Sequence, residues 1–176
     1  MKSNFVLSLA LTAVLTVALA GAANSAPEEA KAGQEFQLQK CQNSDFNVEF
    51  LCNPDWDVQI EKNSLFMIIS SDPAVTITVL KTQSPFMMVQ QINGAVLEKW
   101  EQYAEGYRKE DARFADQNSI VVKAFAKTYP EVRLLDYYTI YDKDLYNVLF
   151  SVNPRKDWDE YKFLIKRIAD SFRFMN

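Results

Sequence analysis

The stretch LFMII, residues 65 to 69, is apolar at every position, and VRLLDYYTIY, residues 132 to 141, carries apolar side chains at odd and even positions alike. A β-strand points successive side chains to opposite faces, so a strand apolar on both must be covered on both. An open sheet with one wet face cannot hold these segments. The chain therefore has to supply a cover for each side of its sheet.

The remaining periodicities supply the rest of a sheet and its covers. Phe46, Val48 and Phe50 alternate with Asn47 and Glu49, and Trp56, Val58 and Ile60 alternate again after Asn53-Pro54-Asp55. This is strand spacing broken by a turn. Ser71-Asp72-Pro73 leads into AVTITVLK, rich in the β-branched residues that suit strands. Short connections between these segments imply an antiparallel meander. The period then changes. Ser84 is a helix cap by type, Pro85 suits the first helical position, and Val89, Ile92, Val96, Trp100, Tyr103 and Tyr107 recur at three- and four-residue steps. The sequence predicts one long helix there, with Asn93-Gly94 inside it. The charged run RKEDARFADQNS, 108 to 119, reads as a connection. Strands are expected at about 120 to 128, 132 to 141 and 145 to 152. A last helix starts at Asp157 with Glu160 three residues on, in a capping-box arrangement, and its stripe is Trp158, Tyr161, Ile165, Ile168 and Phe172. The expectation is an α+β fold: a mostly antiparallel sheet of about six strands with a helix packed on each face.

The first residues carry an address. Met1-Lys2 is a short basic start, Phe5 to Ala20 is an apolar run, and small residues follow at Ala18-Leu19-Ala20 and Ala20-Gly21-Ala22. That is the layout of a secretory signal peptide, residues 1–22, with Ala20 and Ala26 as alternative cleavage points. The run is shorter than the roughly 20 apolar residues a membrane span needs. Residues 23–34, ANSAPEEAKAGQ, read as a flexible linker, and 35–176 as a single domain without internal repeats. The expected location is periplasmic or secreted, with no membrane span in the mature chain. Removal of residues 1–22 takes away only Lys2 among charged residues, so the net charge moves from −4 to −5. A mildly acidic surface without clustered Lys and Arg argues against a nucleic-acid partner.

Composition excludes much chemistry. The chain has no histidine, which removes Ser-His-Asp and Cys-His nucleophile systems and the commonest transition-metal ligand. Only Gly33, Gly94 and Gly106 follow the leader, so no glycine-rich loop can cradle a phosphate. Three features carry weaker signals. Asp55 and Asp57 flank Trp56 and would be the acidic pair of a carboxylate-dependent hydrolase, although turn and strand-edge roles suit them better. Asp142, Asp144 and Asn147 faintly resemble calcium ligands but lack the glycine and bidentate glutamate of an EF-hand loop, so a plain hairpin turn is expected. Tyr137, Tyr138 and Tyr141 are candidates to line a pocket between the long helix and the late strands, the basis of a small-ligand carrier reading. No catalytic residue, cofactor or metal site is assigned.

Two features remain as sites. Phe86, Met87 and Met88 stand together in what should be a first helical turn and cannot all face one core. They are either covered by a loop or form an adaptable partner surface. Cys41 and Cys52 are the only cysteines. Export favours a disulfide between them. A bridge needs Cα atoms within about 4.4–6.8 Å, and a tight hairpin turning at Asn43-Ser44 would put Cys41 opposite Phe46 and leave Cys52 out of reach. The bridge is expected and that hairpin is not. A redox role is not expected, since no Cys-x-x-Cys spacing occurs.

DFNVEFLCNPDWDV, residues 45 to 58, resembles the entry motif of the PsbP-like α/β/α sandwich, and FLIKRIADSFRF, 163 to 174, resembles its closing helix with Ser171-Phe172 as the terminal pair. LLDYYTIYDKDLYNVLFSV lies where that family has its late hairpin. Pro54 stands two residues before Trp56 where the family usually has three, and Asp45 replaces a glycine. The resemblance, which extends to envelope proteins of the DcrB type and to the Ran-binding Mog protein, implies a non-enzymatic role. Its expected partner is another protein or an envelope component.

Overall fold

A computed structural model describes residues 37–61, 65–69, 74–153 and 158–175. Seven strands form the main sheet in the order β3-β4-β5-β9-β8-β7-β6, antiparallel throughout. They are β3 (Asp57–Glu61), β4 (Leu65–Ile69), β5 (Ala74–Gln83), β6 (Ala104–Phe114), β7 (Gln117–Ala126), β8 (Arg133–Tyr141) and β9 (Asp144–Asn153). A second sheet holds β1 (Gln39–Asn43), β2 (Val48–Cys52) and β10 (Arg173–Phe174), with β2 in the middle. The helices are α1 (Asn93–Tyr103), entered through a 3-10 turn at Val89–Ile92, and α2 (Trp158–Ser171). Among the described residues no helix is long and apolar enough to cross a membrane.

Alternation along the strands builds two cores. On one side Val75, Ile77 and Val79 of β5 and Val148, Phe150 and Val152 of β9 pack with Tyr161, Leu164, Ile165 and Ile168 of α2. The small sheet joins this core through Val48 and Phe50, and Trp56 joins it from the β2–β3 turn. Residues of opposite parity, Ile120, Val122 and Ala124 of β7 and Leu134 and Tyr138 of β8, pack with Val96 and Trp100 of α1. The strand that is apolar on both faces is thus explained at β8: Leu134 faces one core and Leu135 the other. At β4, Met67 and Ile68 are both buried.

The end of α2 closes the molecule. Phe172 stacks on Phe50 with ring centroids 4.4 Å apart and tilts against Phe114 at 5.0 Å. Such ring pairs contribute about 0.5–1.5 kcal/mol beyond their buried area. Ser171 Oγ donates to Ile168 O and accepts from Leu51 N at 2.8 Å, and Met175 N donates to Asn47 O, so the C-terminal strand locks onto β2. This gives the Ser171-Phe172 pair its structural role.

Several expectations change. The tight hairpin at Asn43-Ser44 is absent, as expected, but β1 and β2 do pair, through a wider loop at 44–47, with Asn43 opposite Val48 and Cys41 opposite Phe50. Asn43 Oδ1 accepts from Asp45 N and Phe46 N, and Asn47 takes a positive φ of 52° to complete the turn. Cys41 and Cys52 become diagonal neighbours with Cα atoms 5.9 Å apart, at disulfide distance. A hairpin and the cysteine pair coexist because the turn lies further along the chain than the Asn43-Ser44 turn that would have kept Cys52 out of reach. The charged connection at 108–119 is instead most of β6 and its turn into β7. Ala115 and Asp116 make that turn at φ 50° and 62°, without the glycine that usually marks it. The long helix is shorter at both ends than expected: residues 84–88 are not helical and Tyr107 lies in β6. The turn at Ser71-Asp72-Pro73, the break at Asn63-Ser64, the cap at Asp157 and residues 1–34 lie outside the described residues.

Candidate partner surface

Phe86, Met87 and Met88 lie between β5 and the 3-10 turn, and all three are exposed, at 39%, 78% and 59%. The local sequence explains why the backbone is nonetheless held. Ser84 N donates to Lys143 O at 2.8 Å, tying the start of the segment to the β8–β9 turn. Ser84 Oγ accepts from Phe86 N at 3.1 Å and donates to Phe86 O at 3.0 Å. The serine that looked like a helix cap is making a local side-chain turn. From the other end, Gln91 Oε1 accepts from both Met87 N and Met88 N at 3.0 Å. Val89 and Ile92 then turn inward to 2% and 5% exposure. The result is a hydrogen-bonded corner that presents three apolar side chains to solvent. Methionine and phenylalanine there offer polarisable, adaptable contact area. Phe163 on α2, 72% exposed, is a second exposed aromatic. It was missed because it lies in an amphipathic stretch whose other apolar residues point inward.

The tyrosines do not converge. Tyr138 is fully buried under α1, whereas Tyr137 and Tyr141 have the other parity and pack with the α2 core. Tyr141 stacks on Phe174 with centroids 4.2 Å apart. A shared pocket between the long helix and these strands is therefore not formed, as strand alternation dictates. Tyr137 instead borders a concavity of about 230 Å³ that also includes Arg113, Asp116, Asp170 and Arg173. Its charges are engaged with one another and with backbone: Arg113 donates to Asp116 O at 2.6 Å, Arg173 to Asp170 O at 2.9 Å, and Asp170 meets Lys166 at 2.5 Å. Burial, with Asp170 and Glu110 nearby, pushes the Tyr137 hydroxyl above its usual pKa.

Sequence reasoning also missed a buried polar cluster beneath α1. Lys99 Nζ donates to Asp136 Oδ2 at 3.2 Å and to the Tyr138 hydroxyl at 2.7 Å, and Trp100 Nε1 donates to the same hydroxyl at 3.1 Å. Tyr138 and Asn147 each donate to Asp136 as well. Burial and the Asp136 carboxylate hold the Tyr138 hydroxyl well above its ordinary pKa. The cluster is closed: Asp136 is 0% and Lys99 7% exposed. It orients α1 on the sheet and offers no access to a substrate.

The other candidates are peripheral. Asp55 and Asp57 are both exposed beside the buried Trp56, and Asn53 Oδ1 accepts from Asp55 N in an ordinary turn. Asp142 and Lys143 form a two-residue turn at φ 45° and 66°, and Asp144 pairs with Lys81 at 3.5 Å while Asn147 belongs to the buried cluster. Among the described residues no group of three His, Cys, Asp or Glu side chains could hold a metal ion.

No family model matches the chain, and no curated protein matches it either. Solved structures do. Cyanobacterial PsbP (CyanoP) from Synechocystis sp. PCC 6803 superposes with a TM-score of 0.56 at 15% identity, covering 86% of this chain and 98% of that one. The Ran-binding protein Mog1p of Saccharomyces cerevisiae gives 0.55 at 8% identity over 81% and 97% of the two chains. LpqN, involved in cell envelope biogenesis of Mycobacterium tuberculosis, gives 0.54 at 8% identity over 80% and 91%. The chain is an α+β sandwich with the fold shared by PsbP and Mog1p, as its entry and closing motifs led one to expect.

Proposed function

We propose that this protein is an exported, non-catalytic accessory protein that binds a protein partner or a component of the bacterial envelope. The observation that carries the reading is the corner at Phe86, Met87 and Met88: three exposed apolar side chains on a backbone already fixed by Ser84 and Gln91. A surface ordered before binding loses little conformational freedom when a partner arrives. That the same fold occurs in a Ran-binding protein and in a protein of cell envelope biogenesis supports a binding role. The N-terminal leader at 1–22, the linker at 23–34 and the cysteine pair at disulfide distance support a periplasmic or secreted location. Tyr138 beneath α1 and the separated Tyr137 and Tyr141 leave the carrier reading without its pocket.

The test is photo-crosslinking in living cells with a benzophenone side chain at Met87 and, as control, at the exposed Glu98 of α1. A discrete adduct from position 87 in the periplasmic or culture fraction, absent from position 98, is expected. Equal labelling from both positions, or retention of the chain in the cytoplasm, would overturn the reading.

A further inference from the structure

β1 and β2 are neighbours in one small sheet, yet they are anchored very differently. β2 is held without help from β1. Val48, Phe50 and Cys52 are buried in the α2 core, and Phe50 stacks on Phe172. Leu51 N donates to Ser171 Oγ, and β10 pairs along the other edge at Glu49 and Val48. β1 has β2 as its one strand partner among the described residues. Gln39, Lys40 and Gln42 are exposed, and only Leu38 and Cys41 reach the core, each partly buried. Its polar ties are Lys40 to Glu49 at 2.6 Å and Gln42 to Glu49 at 3.3 Å. Such pairs at the surface contribute little, and a strand paired on one side without an apolar face of its own is marginal in water.

The strongest tie of β1 is therefore Cys41, partly buried, at disulfide distance from the buried Cys52, with Cα atoms 5.9 Å apart. The two are separated by 11 residues, all within β1, its turn and β2. A bridge over so short a span ties no distant parts of the chain together. Its loss acts on β1.

We infer that the Cys41–Cys52 disulfide is a redox-sensitive clasp and β1 the strap it closes: reduction releases β1 from β2 while the main sheet and both helices stay folded. The co-reactant is a dithiol. Its thiolate attacks the sulfur of Cys41, the more accessible of the pair, and the electron pair of the broken S–S bond leaves on Cys52, which takes a proton from water. The second thiol of the reductant then displaces Cys41. Two protein thiols and one oxidised dithiol result. The pair is no redox catalyst, since it lacks Cys-x-x-Cys spacing. What opening uncovers is the outer edge of β2, Val48–Cys52, along which β1 is paired.

Hydrogen exchange of the full protein, read by mass spectrometry before and after reduction with excess dithiothreitol, tests this. Amides of residues 39–43 that bond β2 should exchange at least about thirtyfold faster in the reduced protein. Amides of β8 and α2 should change by less than about threefold. A Cys41→Ser/Cys52→Ser variant without reductant should match the reduced wild type, and reoxidation of the wild type should restore protection. Unchanged exchange at 39–43, loss of protection across β8 and α2 as well, or two reactive thiols in the unreduced, unfolded protein would each overturn the inference.

Discussion

The molecule has two cores, one built with α1 and the other with α2, and they are held by different forces. Beneath α2, Phe50, Phe114, Tyr137, Phe150 and Phe172 pack ring against ring. Beneath α1, a lysine and an aspartate are buried together with Tyr138, Trp100 and Asn147. Apolar burial is non-directional and tolerates small shifts of the helix. A buried charge pair is directional, and it stabilises only when its remaining donors and acceptors are also satisfied. Asp136 accepts from Lys99, Tyr138 and Asn147, so that condition is met. The α2 face supplies bulk stability, and the α1 face supplies position. What is positioned is the run leading into α1, including the exposed Phe86–Met88 corner.

This contrast can be tested by substitution. Asp136→Ala should have the largest effect: Lys99 would be left charged and unpaired in the interior, at a cost of about 3–5 kcal/mol. Urea unfolding reads it, and a loss below about 1 kcal/mol would remove the distinction between the faces. Next comes the cysteine pair on the α2 side. The oxidised protein should show no reactive thiols when unfolded without reductant, and replacing Cys41 and Cys52 together by Ser should cost about 2–3 kcal/mol. Ile165→Leu, a volume-conserving change in the α2 core, should cost less than about 1.5 kcal/mol. A larger loss would mean that this face, too, depends on fixed geometry.

The smallest effect is confined to alkaline pH. Burial, helped by Asp144 and Tyr141, pushes the Tyr146 hydroxyl up to about 12, and Tyr138 is also raised well above its usual value. Unfolded tyrosine ionises near pH 10. The folded state therefore holds protons that the unfolded state releases above that pH. The contribution of these groups is fully present below about pH 10 and is lost as pH rises through their folded values. Absorbance titration at 295 nm should show both tyrosines still protonated in native protein at pH 11, and Tyr138→Phe should flatten the fall in stability above pH 10.

Much of this was legible because buried strands advertise themselves. β9 alternates Tyr146, Val148, Phe150 and Val152 with the residues of the other face, and the demand for cover on both sides of β8 was met. β6 was illegible for the opposite reason. An edge strand that stays in water carries charges at most positions, and RKED with a glycine-free turn reads like a linker. Ser84-Pro85 misled because a serine hydroxyl serves a local turn as readily as a helix cap. Lys99 and Asp136 are 37 residues apart, and nothing in their local patterns shows that they meet. The sequence does not distinguish a covering loop from a partner surface at Phe86, Met87 and Met88, because packing alone decides which side chains remain outside.

The proposed binding role rests on that corner. The most direct measurement is the affinity of the crosslinked partner, once isolated, for wild-type protein and for a Met87→Ser/Met88→Ser variant, alongside thermal unfolding of both. Exposed side chains contribute little to the fold, so the melting temperature should hold while the dissociation constant rises at least about tenfold. Unchanged affinity in a variant that remains folded would contradict the assignment of this surface.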